Sequence, residues 1–333
     1  MPGVGSPEAA PPTGDGRVRS ETVADLPETP ALSLEDLAGD RRRVARERRV
    51  RRTFLGAALA SLVISALIVI SLVVEAGRFL VSVDPSSLWT TGWFPREGFF
   101  DVKTLVVATL LVTGIALAVA APIGLATAVY LSEYARPRAR RILKPVLEVL
   151  AGIPSVVLGF FALTWISPTV VQRIRPEAPL SNLFAAGLGV AILTIPLVAS
   201  VSEDAMSSVP DSLREASSGL GARRLTTSLR VVVPAAVSGL VAALILATSR
   251  AIGETMVVLI AGGADQATFT ASPFQPSLTM TAAMASLAGG SDAVVGQGNS
   301  YQSLFFVGLL LFVITLGLNV GANRIVRRVR QKY

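Results

Sequence analysis

Apolar runs long enough to cross a bilayer recur along this chain from residue 53 onward. A hydrocarbon core takes about 20 helical residues. Inside it only helices and closed barrels satisfy every backbone polar group. The runs at 53–74, 104–131, 147–166, 183–200, 235–262 and 303–322 are each close to that length and too long for single membrane strands. The expected fold class is therefore all-α, a polytopic membrane protein with six transmembrane helices. A composition 51% hydrophobic and only 16% charged agrees with that class and disagrees with a soluble domain. Gly114, Pro122 and Gly124 in the second run, Gly152 and Pro154 in the third, and Gly187, Gly189 and Pro196 in the fourth punctuate the helices. Such residues serve ordinary packing and curvature or a gating bend, and both readings stand at this stage.

One run departs from this apolar pattern. Arg250 and Glu254 lie inside the fifth, in ILATSRAIGETMVVLIA. A charge near the bilayer centre costs at least about 2.5–3.5 kcal/mol on insertion scales, so it faces protein or a polar path. On a continuous helix the i, i+4 spacing sets the two side chains on one face, one turn apart. A guanidinium presents paired donors to an oxyanion, and a carboxylate beside it keeps it from trapping one. The competing reading is an interhelical ion pair that only sets packing. Thr248, Ser249 and Thr255 offer further hydroxyl contacts.

There is no cysteine and no histidine, which excludes disulfides and Cys- or His-based metal sites and catalysis. No GxxxxGK[ST] phosphate loop occurs, so nothing here binds ATP by that route. The net charge of +7 points to membrane orientation and not to nucleic acid, because the arginines flank apolar runs. Eight arginines lie in 41–52, and the 132–146 loop, the 201–233 loop and the C-terminal tail add Arg136, Arg140, Lys144, Arg214, Arg230 and Arg328 among others, against few on the opposite loops. That bias makes this side, with both termini, cytoplasmic. Trp89, Trp93 and Trp165 then fall at the outer interface. Residues 1–52 read as a disordered, basic cytoplasmic tail, with a possible Ser33 N-cap. Residues 53–333 form the membrane domain.

The cytoplasmic loop 201–233 carries Glu215-Ala216-Ser217, Gly221 three residues on, and Val231-Val232-Val233-Pro234 after nine more. Leu213, Ala216, Leu220 and Leu225 recur at helical spacing, and Gly221 permits a turn between two short helices. Pro234 sits where the fifth run opens. This pattern resembles the EAA loop of ABC importer permeases, with Ser217 and two valines as size-conservative departures. The segments YLSEYA (130–135), KPVLEVLAGIPSVVLGFFAL (144–163), SEDAMSSVP (202–210), LREASSGLGA (213–222), RVVVPAAVSG (230–239) and SRAIGETM (249–256) resemble phosphate-specific transport (Pst) permeases, the PstC type above the PstA type. The resemblance covers roughly residues 54–322.

The resemblance implies a type I ABC importer permease in a bacterial plasma membrane, multi-pass in the bilayer. It implies a PstA-type second permease, a PstB-type ATPase dimer that holds ATP and Mg, and a PstS-type extracytoplasmic binding protein. This chain itself would carry no cofactor and no catalytic residue. It further implies that Arg250 and Glu254 serve phosphate translocation and that Glu215, Ala216, Ser217, Gly221 and Pro234 couple to the ATPase. A permease for sulfate or molybdate is the near alternative, and a channel or secondary transporter the distant one. Three secondary expectations accompany these. Glu203-Asp204 pairs with Arg214 or Arg223 or is solvated; Glu133 and Glu148 snorkel or pair locally; and the acidic outer loop 263–302, with Asp265 and Asp292, forms a short interfacial helix at 278–287.

Overall fold

The structure is a computed structural model that describes residues 41–89, 92–263, 267–289 and 298–329. The segment 1–40 with Ser33, together with Asp265, Asp292, Arg330 and Lys332, lies outside the described residues. The chain divides after Ile64 into two compact units, the second of which, Ser65–Tyr333, holds the helices from the second span onward.

The first helix, α1, runs Arg41–Ser82, so the basic stretch 41–52 is itself helical and continuous with the first span. A short connecting segment follows. It holds the two-residue antiparallel strands β1 (Trp93–Phe94) and β2 (Phe99–Phe100), paired Trp93 to Phe100. Helix α2 (Val102–Val129) continues without interruption into a π-helical stretch, Tyr130–Tyr134. Helix α3 is Pro137–Ala151, and the third span is Ser155–Ile174, here α4. Helix α5 (Leu183–Ser207) is the fourth span. Two short helices, α6 (Asp211–Gly219) and α7 (Arg224–Ala235), lead to α8 (Val237–Ile252) and α9 (Met256–Gly262). Helix α10 (Met280–Ala288) and α11 (Gly298–Val329) close the chain. Among the described residues five helices are long and apolar enough to span a membrane, or six if the bent pair α7–α8 is counted as one broken span.

Two span boundaries differ from the sequence expectation. The third span does not begin at 147. Pro154 has no N–H to continue a helix, and Gly152 closes α3 by donating to Val149 O at 3.0 Å. Residues 137–151 form a separate amphipathic helix, and the span starts at Ser155 and reaches Ile174. The fifth span does not run unbroken from 235 to 262. It starts beyond a 71° bend at Ala236 and breaks again at Gly253–Thr255.

Helix α5, interrupted by glycine and proline in sequence, is the most enclosed of the spans. Its glycines are contact points. A Cβ on Gly187 would meet the Ile115 side chain at 2.7 and 2.8 Å, and one on Gly124 of α2 would meet Val198 at 2.6 and 2.7 Å. Small residues let α2 and α5 approach closely where no hydrophobic drive between helices exists. Gly187→Val therefore costs about 1–3 kcal/mol through overpacking, measured as a lowered melting temperature of the detergent-purified protein. An unchanged melting point would contradict this account of the α2–α5 contact.

Trp93 is not an interface anchor. It is buried at 2% exposure and meets Phe100 edge-on at 5.8 Å, while Phe100 in turn meets Phe79 at 4.9 Å. Trp89 and Trp165 remain exposed. Helix α10 exists where the 278–287 helix was expected, but its first turn, Met280–Ala283, is buried and not interfacial. Met280 N donates to Thr109 Oγ1 of α2 at 3.0 Å, which holds that turn in the bundle.

Candidate functional site: a broken span and a helical hinge

Arg250 occupies the last turn of α8, and the helix ends because Gly253 and Glu254 donate back to Ser249 O (3.2 Å) and Ala251 O (3.4 Å). Glu254 and Thr255 lie in the gap before α9. The helical i, i+4 geometry is therefore lost, and among the described residues no ion pair joins Arg250 to Glu254. This corrects the expectation of one shared helical face. Arg250 is exposed in this chain and Glu254 half-buried. The Glu254 backbone carbonyl accepts from Thr281 Oγ1 of α10 at 2.6 Å, which fixes the gap against the outer helix.

The hydroxyls expected to join Arg250 are arranged differently. Thr248 Oγ1 turns back to Leu244 O at 2.7 Å and takes no part. Ser249 Oγ donates to Asn319 Oδ1 of α11 at 2.9 Å, tying the end of α8 to the last span. Thr255 Oγ1 donates to Gly253 O at 3.3 Å, inside the gap. Thus Ser249, Arg250, Glu254 and Thr255 come together at the break, with Arg250 as an exposed guanidinium inside an apolar segment. Asn319 and Thr281 were missed in the sequence, although a single asparagine in the apolar run 303–322 was a visible signal.

The hinge is built from α6 and α7. Leu220, Gly221 and Ala222 donate to Ala216 O (3.2 Å), Ser218 O (2.9 Å) and Ser217 O (3.2 Å), which closes α6. Gly221 makes the reversal at φ +77°, a left-handed conformation glycine adopts without strain. Ser217 Oγ and Thr227 Oγ1 share a hydrogen bond of 2.9 Å that locks the two short helices together. Glu215 and Ala216 are exposed, and the tip is bare: Leu220 is 89% exposed, with Leu225 and Leu229 also out. Leu213, on the opposite side, packs inward with Met206 and Val232. Pro234 sits in the turn Val233–Ala235, just before the 71° bend, and the span proper opens at Val237.

The acidic residues near the hinge find partners the sequence did not single out. Glu203, fully buried, accepts from Arg140 Nη2, from Lys144 Nζ at 2.8 Å and from Ser207 Oγ at 2.9 Å, and Asp204 pairs with Lys144 at 2.6 Å. They bind α3, not Arg214 or Arg223. Asp204, and next Glu203, raise the Lys144 pKa above its ordinary value by hydrogen bonding to its ammonium. The folded protein thus holds that proton more tightly than the unfolded chain does. The contribution is present below the ordinary lysine range and is lost only as pH climbs through the raised value. Glu203→Ala costs about 1–3 kcal/mol; the low end applies because Arg140 and Lys144 are 40% and 30% exposed. Thermal melting measures it, and no loss would show that the network contributes nothing. Glu133 pairs with Arg214 at 3.0 Å, and Glu148 is exposed.

Residues 120–331 match the family model described as "Binding-protein-dependent transport system inner membrane component". The chain is 33% identical over 80% of its length, and 87% of the relative's, to the "Probable ABC transporter permease protein YqgH" of Bacillus subtilis. It is 32% identical to the "Phosphate transport system permease protein PstC" of Haemophilus influenzae, over 82% of this chain and 91% of the relative. Among solved structures, the bacterial alginate ABC transporter in complex with an alginate pentasaccharide-bound periplasmic protein contains a chain that matches with a TM-score of 0.58 and 17% identity. The match covers 86% of this chain and 98% of that one. That likeness is one of fold.

Proposed function

Because this chain belongs to the family of binding-protein-dependent transport system inner membrane components, we propose that it works as the membrane-spanning permease subunit of an ATP-driven importer of inorganic phosphate. The observation that carries the reading is the hinge at Glu215–Gly221: an exposed apolar tip on a left-handed glycine turn, in a chain with no phosphate-binding loop of its own. Phosphate as cargo is supported by the similarity to the phosphate permease of Haemophilus influenzae.

The machine then needs further chains. An ATPase dimer holds ATP and Mg and receives the tip formed by Glu215, Ala216, Ser217, Leu220 and Gly221. A second permease of PstA type covers the face on which Arg250 stands exposed, since a guanidinium left to lipid would cost several kcal/mol. An extracytoplasmic binding protein of PstS type delivers phosphate to the outer side. The assembly sits in the bacterial inner membrane, with both termini of this chain cytoplasmic.

Closure of the ATPase dimer on ATP draws the tips inward and opens the pathway outward. Phosphate passes the break at 253–255, where Arg250 donates two charge-assisted hydrogen bonds to it. Glu254, in the same gap, trades places with phosphate at the guanidinium as the ion moves on, which keeps the contact transient, and Thr255 adds a hydroxyl contact. Hydrolysis resets the pathway inward.

Labelled-phosphate uptake tests the cargo, in cells where this chain and its partner set provide the only phosphate route. Excess unlabelled phosphate competes, and excess sulfate or molybdate does not. Competition by sulfate or molybdate at equal concentration would reassign the oxyanion.

A further inference from the structure

We infer that Arg214 is the positioning residue that transmits movement of the hinge to the second and fourth spans, acting through Glu133; this rests on the importer reading above. All five N–H donors of its guanidinium are accounted for. Nε (3.3 Å) and Nη2 (3.0 Å) donate to Glu133 Oε1, and Nη2 also donates to Met206 O at 2.9 Å. Nη1 donates to Val209 O at 2.6 Å and to Asp211 Oδ1 at 3.0 Å. The side chain thus joins three elements. It belongs to α6, it grips a carboxylate in the π-helical stretch that continues α2, and it caps the end of α5 at Val209 O and at Met206 O, which also accepts from Val209 N at 3.2 Å.

Three observations make this a strut and not a surface pair. The side chains of Arg214 and Glu133 are only 21% and 9% exposed, so solvent screens the pair little. Helix α6 has no fully buried residue, so apolar packing alone holds it weakly. A polar cavity of about 440 Å³, with Arg140, Ser207 and Arg224 among its walls, lies against both partners and leaves α6 room to rock. Glu133 itself sits in the π-helical stretch Tyr130–Tyr134, closed by Ala135 N to Tyr130 O at 2.8 Å. A π turn inserts one extra residue into the helix and re-aims the side chains around it, a device common at functional positions. Helices α2 and α5, locked through Gly124 and Gly187, then follow α6 as one body. An arginine is suited to this because its planar fork engages several acceptors in fixed geometry, where a lysine offers one mobile point charge.

The test uses proteoliposomes holding the full complex of this chain, the second permease, the ATPase and the binding protein. Labelled phosphate taken up per ATP hydrolysed is measured for wild type, Glu133→Gln, Arg214→Lys and the double variant, each checked for assembly by co-purification. The ratio is expected to fall roughly tenfold in each single variant, and the double variant to fall no further than the poorer single, as for residues acting as one unit. A residue with a merely structural role would alter assembly or melting but leave the ratio of assembled complexes intact. Unchanged ratios in assembled variants, or losses that multiply in the double, would overturn the strut while leaving the importer reading in place. Should Arg214→Lys fail to assemble, Glu133→Gln decides alone. A wild-type complex that moves phosphate without ATP would overturn the importer reading itself.

Discussion

Gly221→Val abolishes ATP-driven uptake while the membrane bundle stays folded. Gly221 turns at φ +77° and a Cβ there would meet nothing within this chain, so the damage is conformational and not a clash in the fold. A β-branched residue at that φ is a steric outlier. The left-handed conformation costs roughly 1–2 kcal/mol for an ordinary residue, which would weaken docking of the tip by about tenfold even if the turn survived. If the turn opens, Leu220 leaves its place and coupling is lost outright. Gly221→Asp separates the two causes. Aspartate tolerates the left-handed turn better but sets a carboxylate on the surface that meets the ATPase. Uptake in reconstituted vesicles and co-purification with the ATPase check both variants. Wild-type uptake by Gly221→Val would remove the hinge from the mechanism.

Arg250→Ala lowers uptake by on the order of 10–100-fold with the complex assembled, the loss expected when a charge-assisted contact worth about 1.5–3 kcal/mol disappears from the path. Arg250→Lys retains the charge and loses the fork, so it recovers only part of the rate. The break at Gly253–Thr255 is what makes this expectation specific. Glu254 is not held in helical register beneath Arg250, so the guanidinium is available to a passing anion. Full uptake by an assembled Arg250→Ala complex would reduce the residue to a packing role.

The spans were legible because length and apolarity are properties of the chain itself, and 53–74, 104–131, 183–200 and 303–322 all lie within observed helices. The helix–turn–helix was legible because Leu213, Ala216, Leu220 and Leu225 recur at helical spacing about Gly221 and because the spacing of Glu215, Gly221 and Pro234 resembles the EAA loop. What stayed hidden depends on tertiary partners. An unbroken apolar run said nothing of the gap at Gly253–Thr255, where backbone turns and the Thr281 contact to Glu254 O end the helix. Glycine and proline in 183–200 left packing and gating both open, and the close approach of Gly187 to Ile115 shows packing at that position. Trp93 obeyed the interfacial rule by position and broke it by burial against Phe100. Arg140 and Lys144 reach Glu203, and Glu133 reaches Arg214, from 59 to 81 residues away, beyond the reach of local pattern.

The most direct measurement is labelled-phosphate uptake into proteoliposomes holding this chain, its partner permease and the ATPase, with binding protein outside, in the presence and absence of ATP. The account predicts accumulation only with ATP trapped on the ATPase side, and none when the binding protein is omitted. Equal uptake without ATP, or without the ATPase, would contradict it and make this chain a channel or a secondary transporter.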